Sequence, residues 1–166
     1  MLRSLVWALI VLPLLITGSN AGCLPTLPSN PPFIPPDEPT SPQPNLTLVT
    51  RSFWHGDKSL WTLSPMTGTW KGLRSYGPSA KGFRQKVFWW REGYDWRAEP
   101  KPSLIVTGRR LDDDSPSFAV ANATNAFGGD IGSAMLVGVD IPSHGCWEIT
   151  GHYGGRTLSF VISVEP

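Results

Sequence analysis

The stretch that decides the fold is CWEITGHYGGRTLSFVISV, residues 146–164. Gly154-Gly155 interrupts two runs of alternating apolar and polar residues, and paired glycines supply the positive φ that a two-residue hairpin turn requires. Side chains alternate faces along a strand. Trp147 and Ile149 therefore share one face, with Glu148, Thr150 and His152 opposite. On the returning strand Leu158, Phe160, Ile162 and Val164 point inward, and Thr157, Ser159, Val161 and Ser163 outward. Just upstream, Met135, Val137, Val139 and Ile141 share a parity before Pro142 and Gly145 turn the chain. The three runs read as successive antiparallel strands on one core.

Outward from this hairpin the strand signals recur as LTLVT (46–50), KVFWW (86–90), SLIVTGRR (103–110), SFAVANAT (117–124) and SAMLVGVDI (133–141). Each is bounded by Gly, Pro, Asp, Asn or Ser, and no window of a dozen residues carries a helical period. The expected class is all-β, with residues 45–166 forming one antiparallel sandwich. The last three strands resemble those of an immunoglobulin-like domain. They lack the tyrosine-corner spacing and the paired inter-sheet cysteines of antibody domains. KVFWWREGYDW, SLIVTGRRLD and GCWEITGHYGGRTLSFVISV together resemble a group of bacterial secreted or lipid-anchored proteins. That resemblance implies an immunoglobulin-like fold and an extracytoplasmic address, and no activity.

The N-terminal portion carries that address independently. Arg3 precedes an apolar run from Leu5 to Ile16, too short for the ~20 residues that span a bilayer, so residues 1–22 read as a secretory signal peptide. Ala21-Gly22-Cys23 is similar to a bacterial lipoprotein lipobox, which implies lipidation of Cys23, although Asn20 stands where that pattern has Leu, Val or Ile. Cleavage after Ala21 is the alternative. Cys146 is the only other cysteine, so an unlipidated Cys23 can form a Cys23–Cys146 disulfide in an oxidising compartment. From Pro25 to Pro44, nine of 20 residues are proline. Residues 23–44 therefore read as an anchor cysteine followed by a disordered, extended Pro-rich linker that holds the domain away from a membrane.

The chemistry-bearing residues point to binding before catalysis. Seven tryptophans lie in the domain (Trp54, Trp61, Trp70, Trp89, Trp90, Trp96 and Trp147). In Phe88-Trp89-Trp90 both faces of one strand carry large rings. Either a loop covers one face, with Phe53-Trp54 or Tyr94-Asp95-Trp96 as the cover, or Trp89, Trp90 and Trp96 form an exposed platform for a sugar or an apolar partner. Arg91 and Arg97 are adjacent to these rings in sequence and are candidates for cation–π contacts. Residues 45–110 hold 12 Lys or Arg against four Asp or Glu, and residues 111–166 hold one against seven. Interleaved strands would neutralise this asymmetry. Otherwise it makes a basic face toward anionic lipid or wall polymer.

His55, His144 and His152 lack metal-ligand spacing, Asp112-Asp113-Asp114 lacks the alternation of a calcium loop, and no nucleophile elbow or phosphate loop occurs. No cofactor, metal site or catalytic residue is expected. The net charge of +1 gives no argument for nucleic acid. The expected role is a cell-envelope lipoprotein whose sandwich acts as a binding or structural module, with a wall glycan or an envelope protein as partner and the membrane engaged through its anchor. A small extracytoplasmic hydrolase with a dispersed site and a metal-binding carrier are the alternatives.

Overall fold

The computed structural model describes residues 22–75, 82–114, 118–120 and 123–166. The signal peptide read at 1–22 thus lies, save Gly22, outside the described residues. Among these described residues eleven elements follow in order: α1 (Leu46–Thr50), β1 (Ser52–Asp57), β2 (Leu60–Pro65), β3 (Thr69–Lys71), β4 (Phe83–Trp90), β5 (Ile105–Arg110), β6 (Phe118–Val120), β7 (Thr124–Gly128), β8 (Gly132–Ile141), β9 (Gly145–Tyr153) and β10 (Arg156–Glu165).

Two five-stranded sheets form, ordered β1-β2-β4-β8-β7 and β3-β10-β9-β5-β6. β2, β4, β8 and β7 take the places of immunoglobulin strands A, B, E and D, and β10, β9, β5 and β6 those of G, F, C and C′. β3 pairs parallel with β10, as a first strand does once it has crossed to the second sheet, and all other pairs are antiparallel. β1 adds an outer strand to the first sheet. The architecture is an immunoglobulin-like β-sandwich.

The hairpin expected at Gly154-Gly155 is present. Tyr153 faces Arg156, and the two glycines have φ of 54° and 74°. Trp147, Ile149, Phe160, Ile162 and Val164 are buried, as the alternation requires. β8 departs from the sequence reading. It buries Met135, Val137, Val139 and Ile141 but pairs with β4 and β7, so the turn after Ile141 crosses from one sheet to the other. Alternation tells which face of a strand is buried and not which sheet holds it.

LTLVT also differs from expectation, for it forms one turn of helix. Asn45 occupies the N-cap position without a side-chain cap, the Thr50 hydroxyl donates to the Leu46 carbonyl, and Arg51 closes the turn in the left-handed conformation. Only Leu46 is buried, packed against Trp54, Trp61, Trp90 and Ala134. A single apolar anchor suits a turn better than a half-buried strand.

Two apolar clusters result. One fills the space between the sheets and includes Trp89, Trp147, Val106, Ile149, Phe160 and Ile162. The second lies on the outer face of the first sheet around Trp54, Trp61 and Trp90, with Phe33, Phe88 and Ile131 packed on it.

This second cluster corrects the reading of residues 23–44 as a free linker. The segment is a strap laid on the domain. Cys23 is disulfide-bonded to Cys146. The Thr26 amide donates to the Val161 carbonyl at 2.9 Å, and the Thr26 hydroxyl accepts from the Val161 amide at 2.8 Å. Phe33 packs on Trp61 with ring centroids 5.8 Å apart. Further along, Thr40 accepts from the Ser133 amide at 2.7 Å, and Gln43 donates its amide to Asp130 and its side chain to Gly129. The physical reason is twofold. Exposed indoles of ~150–250 Å² each make a cover favourable. A proline-rich chain is already restricted, so ordering it against the sheet costs less entropy than ordering an ordinary loop.

Candidate functional site

The rings singled out in the sequence are separated by the fold. Trp89 faces the inter-sheet core and is fully buried, its ring 6.1 Å from that of Phe160. Trp90 faces the other way and is 1 % exposed. Trp54 crosses it edge-on at 5.3 Å, and the Trp90 indole N–H donates to the Ile131 carbonyl at 2.9 Å. Neither belongs to an exposed platform. Loop cover is present, and Trp54 of β1 with the strap supplies it.

Cys23 takes the alternative that the sequence left open, the disulfide to Cys146. A sulfur bonded to Cys146 has no valence left for a thioether, so the disulfide and the lipid are exclusive alternatives at one atom. Cys146 lies on β9 two residues before Glu148 and thus on the outward parity. The disulfide therefore fastens the strap to the outside of the second sheet and does not bridge the sheets.

Of the concave surfaces among the described residues, two bear on binding. The first is a groove of about 530 Å³ between the strap and β1. Pro32, Phe33, Ile34, Pro36, Phe53 and Trp54 form most of its apolar lining, with Asp37, Thr47 and Ser52 as polar groups. Ile34 is 77 % exposed, and Leu48 and Val49 on α1 are similarly open.

The second surface lies where the 91–104 loop after β4 meets the β1–β2 and β9–β10 turns. Ser59, Arg91, Ser103, Tyr153, Gly154 and Arg156 enclose about 390 Å³ there. Arg91 is held by its neighbours. Its Nε donates to the Tyr153 hydroxyl at 3.2 Å and its Nη1 to the Glu92 carbonyl at 2.8 Å. Its guanidinium carbon lies 5.8 Å from the Tyr94 ring and 5.7 Å from the Tyr153 ring. The Tyr153 hydroxyl donates in turn to the Glu99 carboxylate, and the Tyr94 hydroxyl to the Glu99 carbonyl. Burial pushes the Tyr94 phenol up to about 12, helped by the nearby Glu99 charge. Burial and the hydrogen bond to Glu99 raise Tyr153, against a downward pull from Arg91.

Trp96 and Arg97 sit on the same loop but outside that pocket. Trp96 stacks on Phe127 with centroids 5.4 Å apart, and Arg97 covers Trp96 at 4.8 Å. Of the five residues expected to bind ligand, Arg91, Trp96 and Arg97 thus share one loop, and Arg91 lines the pocket. Ser59, Ser103, Tyr153 and Arg156 carried no sequence signal. They meet only because three turns converge.

The charge asymmetry is neutralised across strands. Arg84 pairs with Asp140, Arg109 with Glu148 and Lys71 with Glu165, each a basic residue of the first half against an acid of the second. Arg110 takes Asp112 and Asp113, which occupies two of the three consecutive aspartates. The histidines have separate partners. His55 donates Nε2–H to the Ser159 carbonyl at 2.8 Å, His152 meets the Thr157 hydroxyl at 3.2 Å, and His144 stacks on Phe83. Among the described residues no group of three or more His, Cys, Asp or Glu converges as for a metal ion, and no helix is long and apolar enough to cross a membrane.

The fold defines an immunoglobulin-like sandwich with an N-terminal strap. No family model, curated protein or solved structure matches the chain.

Proposed function

We propose that this chain is an exported binding module of the cell envelope whose partner is an apolar segment of another envelope protein, seated in the strap groove. The observation that carries this reading is the groove itself: about 530 Å³ of largely apolar surface that stays open after the strap has docked. Exposed Ile34, Leu48 and Val49 add to an apolar patch of the kind that marks interaction surfaces. Few polar groups line it, which favours apolar side chains over a sugar. Export is supported by the short apolar leader and by a disulfide, a bond that persists in oxidising compartments. With Cys23 in that bond, the module is a secreted or periplasm-facing protein held by its partner. The lipid anchor belongs to the alternative state of the same sulfur.

A photo-crosslinking side chain placed at Thr47 and activated in intact cells tests the reading. A discrete protein adduct is expected, absent when the probe sits at Phe127 and lost when Ile34→Asp is added. Failure to obtain any adduct from Thr47 above the Phe127 control overturns it. Adducts to wall glycan alone would replace the protein partner with a carbohydrate one.

A further inference from the structure

We infer that the pocket between Arg91 and Arg156 is an oxyanion-binding site, for the phosphate or carboxylate group of a polar ligand. It goes beyond the groove reading and stands on different residues.

Two arginines and two serines line this pocket. Arg91 lines it from the loop after β4, Arg156 from the first residue of β10, Ser59 from the β1–β2 turn and Ser103 from the approach to β5. Arg91 is oriented before any ligand arrives, by the Tyr153 hydroxyl, the Glu92 carbonyl and the flanking rings of Tyr94 and Tyr153. A guanidinium has five N–H donors in a fixed fork. Nε and Nη1 spend one each in these contacts, so donors remain for a ligand. Preorganisation of this kind lowers the cost of binding.

The nearby acids do not fill the site. Glu99 lies 3.8 Å from Arg91 Nη2, beyond hydrogen-bond length, and its carboxylate takes the Tyr153 hydroxyl instead. Glu92 turns to Lys58 at 3.6 Å. Asp57 accepts the Ser59 and Leu60 amides, and only a through-space attraction links it to Arg156. Arg156 is exposed, and among the described residues its side chain makes no hydrogen bond or ion pair, its backbone alone pairing with Tyr153. The clamped Arg91 and the uncommitted Arg156 side chain line one pocket and together offer N–H donors to the oxygens of an anion. Charge-assisted contacts of this type are the strong ones.

The intact oxidised protein is titrated with inorganic phosphate and with glucuronate, against chloride at matched ionic strength. Amide resonances of Ser59, Gly154 and Arg156 and the Arg91 side-chain resonance are followed. Saturable shifts confined to these positions are expected, weakened about tenfold or more by Arg156→Ala and by Arg156→Gln. Ile34→Asp leaves the titration unchanged, which keeps this outcome separate from that of the groove. Tighter phosphate binding assigns a phosphorylated ligand, and tighter glucuronate binding an acidic sugar. No saturable shift beyond chloride, or Arg156 variants that bind within about twofold of the parent, overturns the site.

Discussion

Trp89 and Gly151 occupy the centre of the sandwich, on the strands that take the places of B and F. A Cβ on Gly151 would lie 2.6 Å from the Trp89 ring, so the residue is glycine because an indole fills the space. Gly151→Ala is expected to destabilise the fold by about 1–3 kcal/mol through overpacking, read by denaturant unfolding. Tyr94 gives a second residue-scale expectation. Its folded pKa of about 12 exceeds the ordinary 10.0, so the folded state keeps a proton that the unfolded state has lost between those values. The stability it confers is complete below pH ~10 and is lost as pH rises toward ~12. Alkaline unfolding should steepen in that window, and Tyr94→Phe should flatten it. An unchanged alkaline limb in the variant would show that the phenol does not control it.

At the scale of elements, the strap is the unusual component. Its disulfide closes a loop with a sequence separation of 123 residues. Reduction, or the Cys23→Ser and Cys146→Ser double variant, is expected to lower stability by about 2–5 kcal/mol. Phe33→Ala removes the ring that covers Trp61 and should cost about 1–2 kcal/mol, less than a fully buried phenylalanine because Phe33 is half-buried. Tryptophan fluorescence reports both. A red shift on reduction is expected as Trp61 and Trp54 meet water, and its absence would mean that the strap stays docked without its disulfide. β1 and β2 show why some elements escaped the sequence reading. Leu60, Trp61 and Thr62 are consecutive and all buried, because β2 has the inter-sheet core on one face and the strap cluster on the other. A strand buried on both sides shows no alternation.

For the whole molecule, acid sensitivity follows from four carboxylates. Hydrogen bonds from Arg84, Arg110 and Lys71 hold Asp140, Asp112 and Glu165 below their ordinary range, and the Ser59 amide does the same for Asp57. Depressed folded values mean that the unfolded chain binds protons first. Their stabilisation is present above pH ~4 and is lost as pH falls through the lowered values. The Arg84–Asp140 pair is solvent-exposed, so its double-mutant cycle should return less than about 1 kcal/mol, and a larger coupling would refute that ranking.

The sequence alone determined the β class, the β9–β10 hairpin and the inward face of β8, because side-chain alternation and paired glycines are local properties. It also placed Arg91, Trp96 and Arg97 among the ligand candidates. Only the tertiary structure decided that β8 sits in the sheet opposite β9, that Trp89 and Trp90 lie in different cores, and that the proline run is a strap. It alone brought Arg156, Ser59 and Ser103 to Arg91. The physical reason is that which turns meet at the end of a sandwich, and what covers an aromatic face, depends on contacts between segments far apart in the chain.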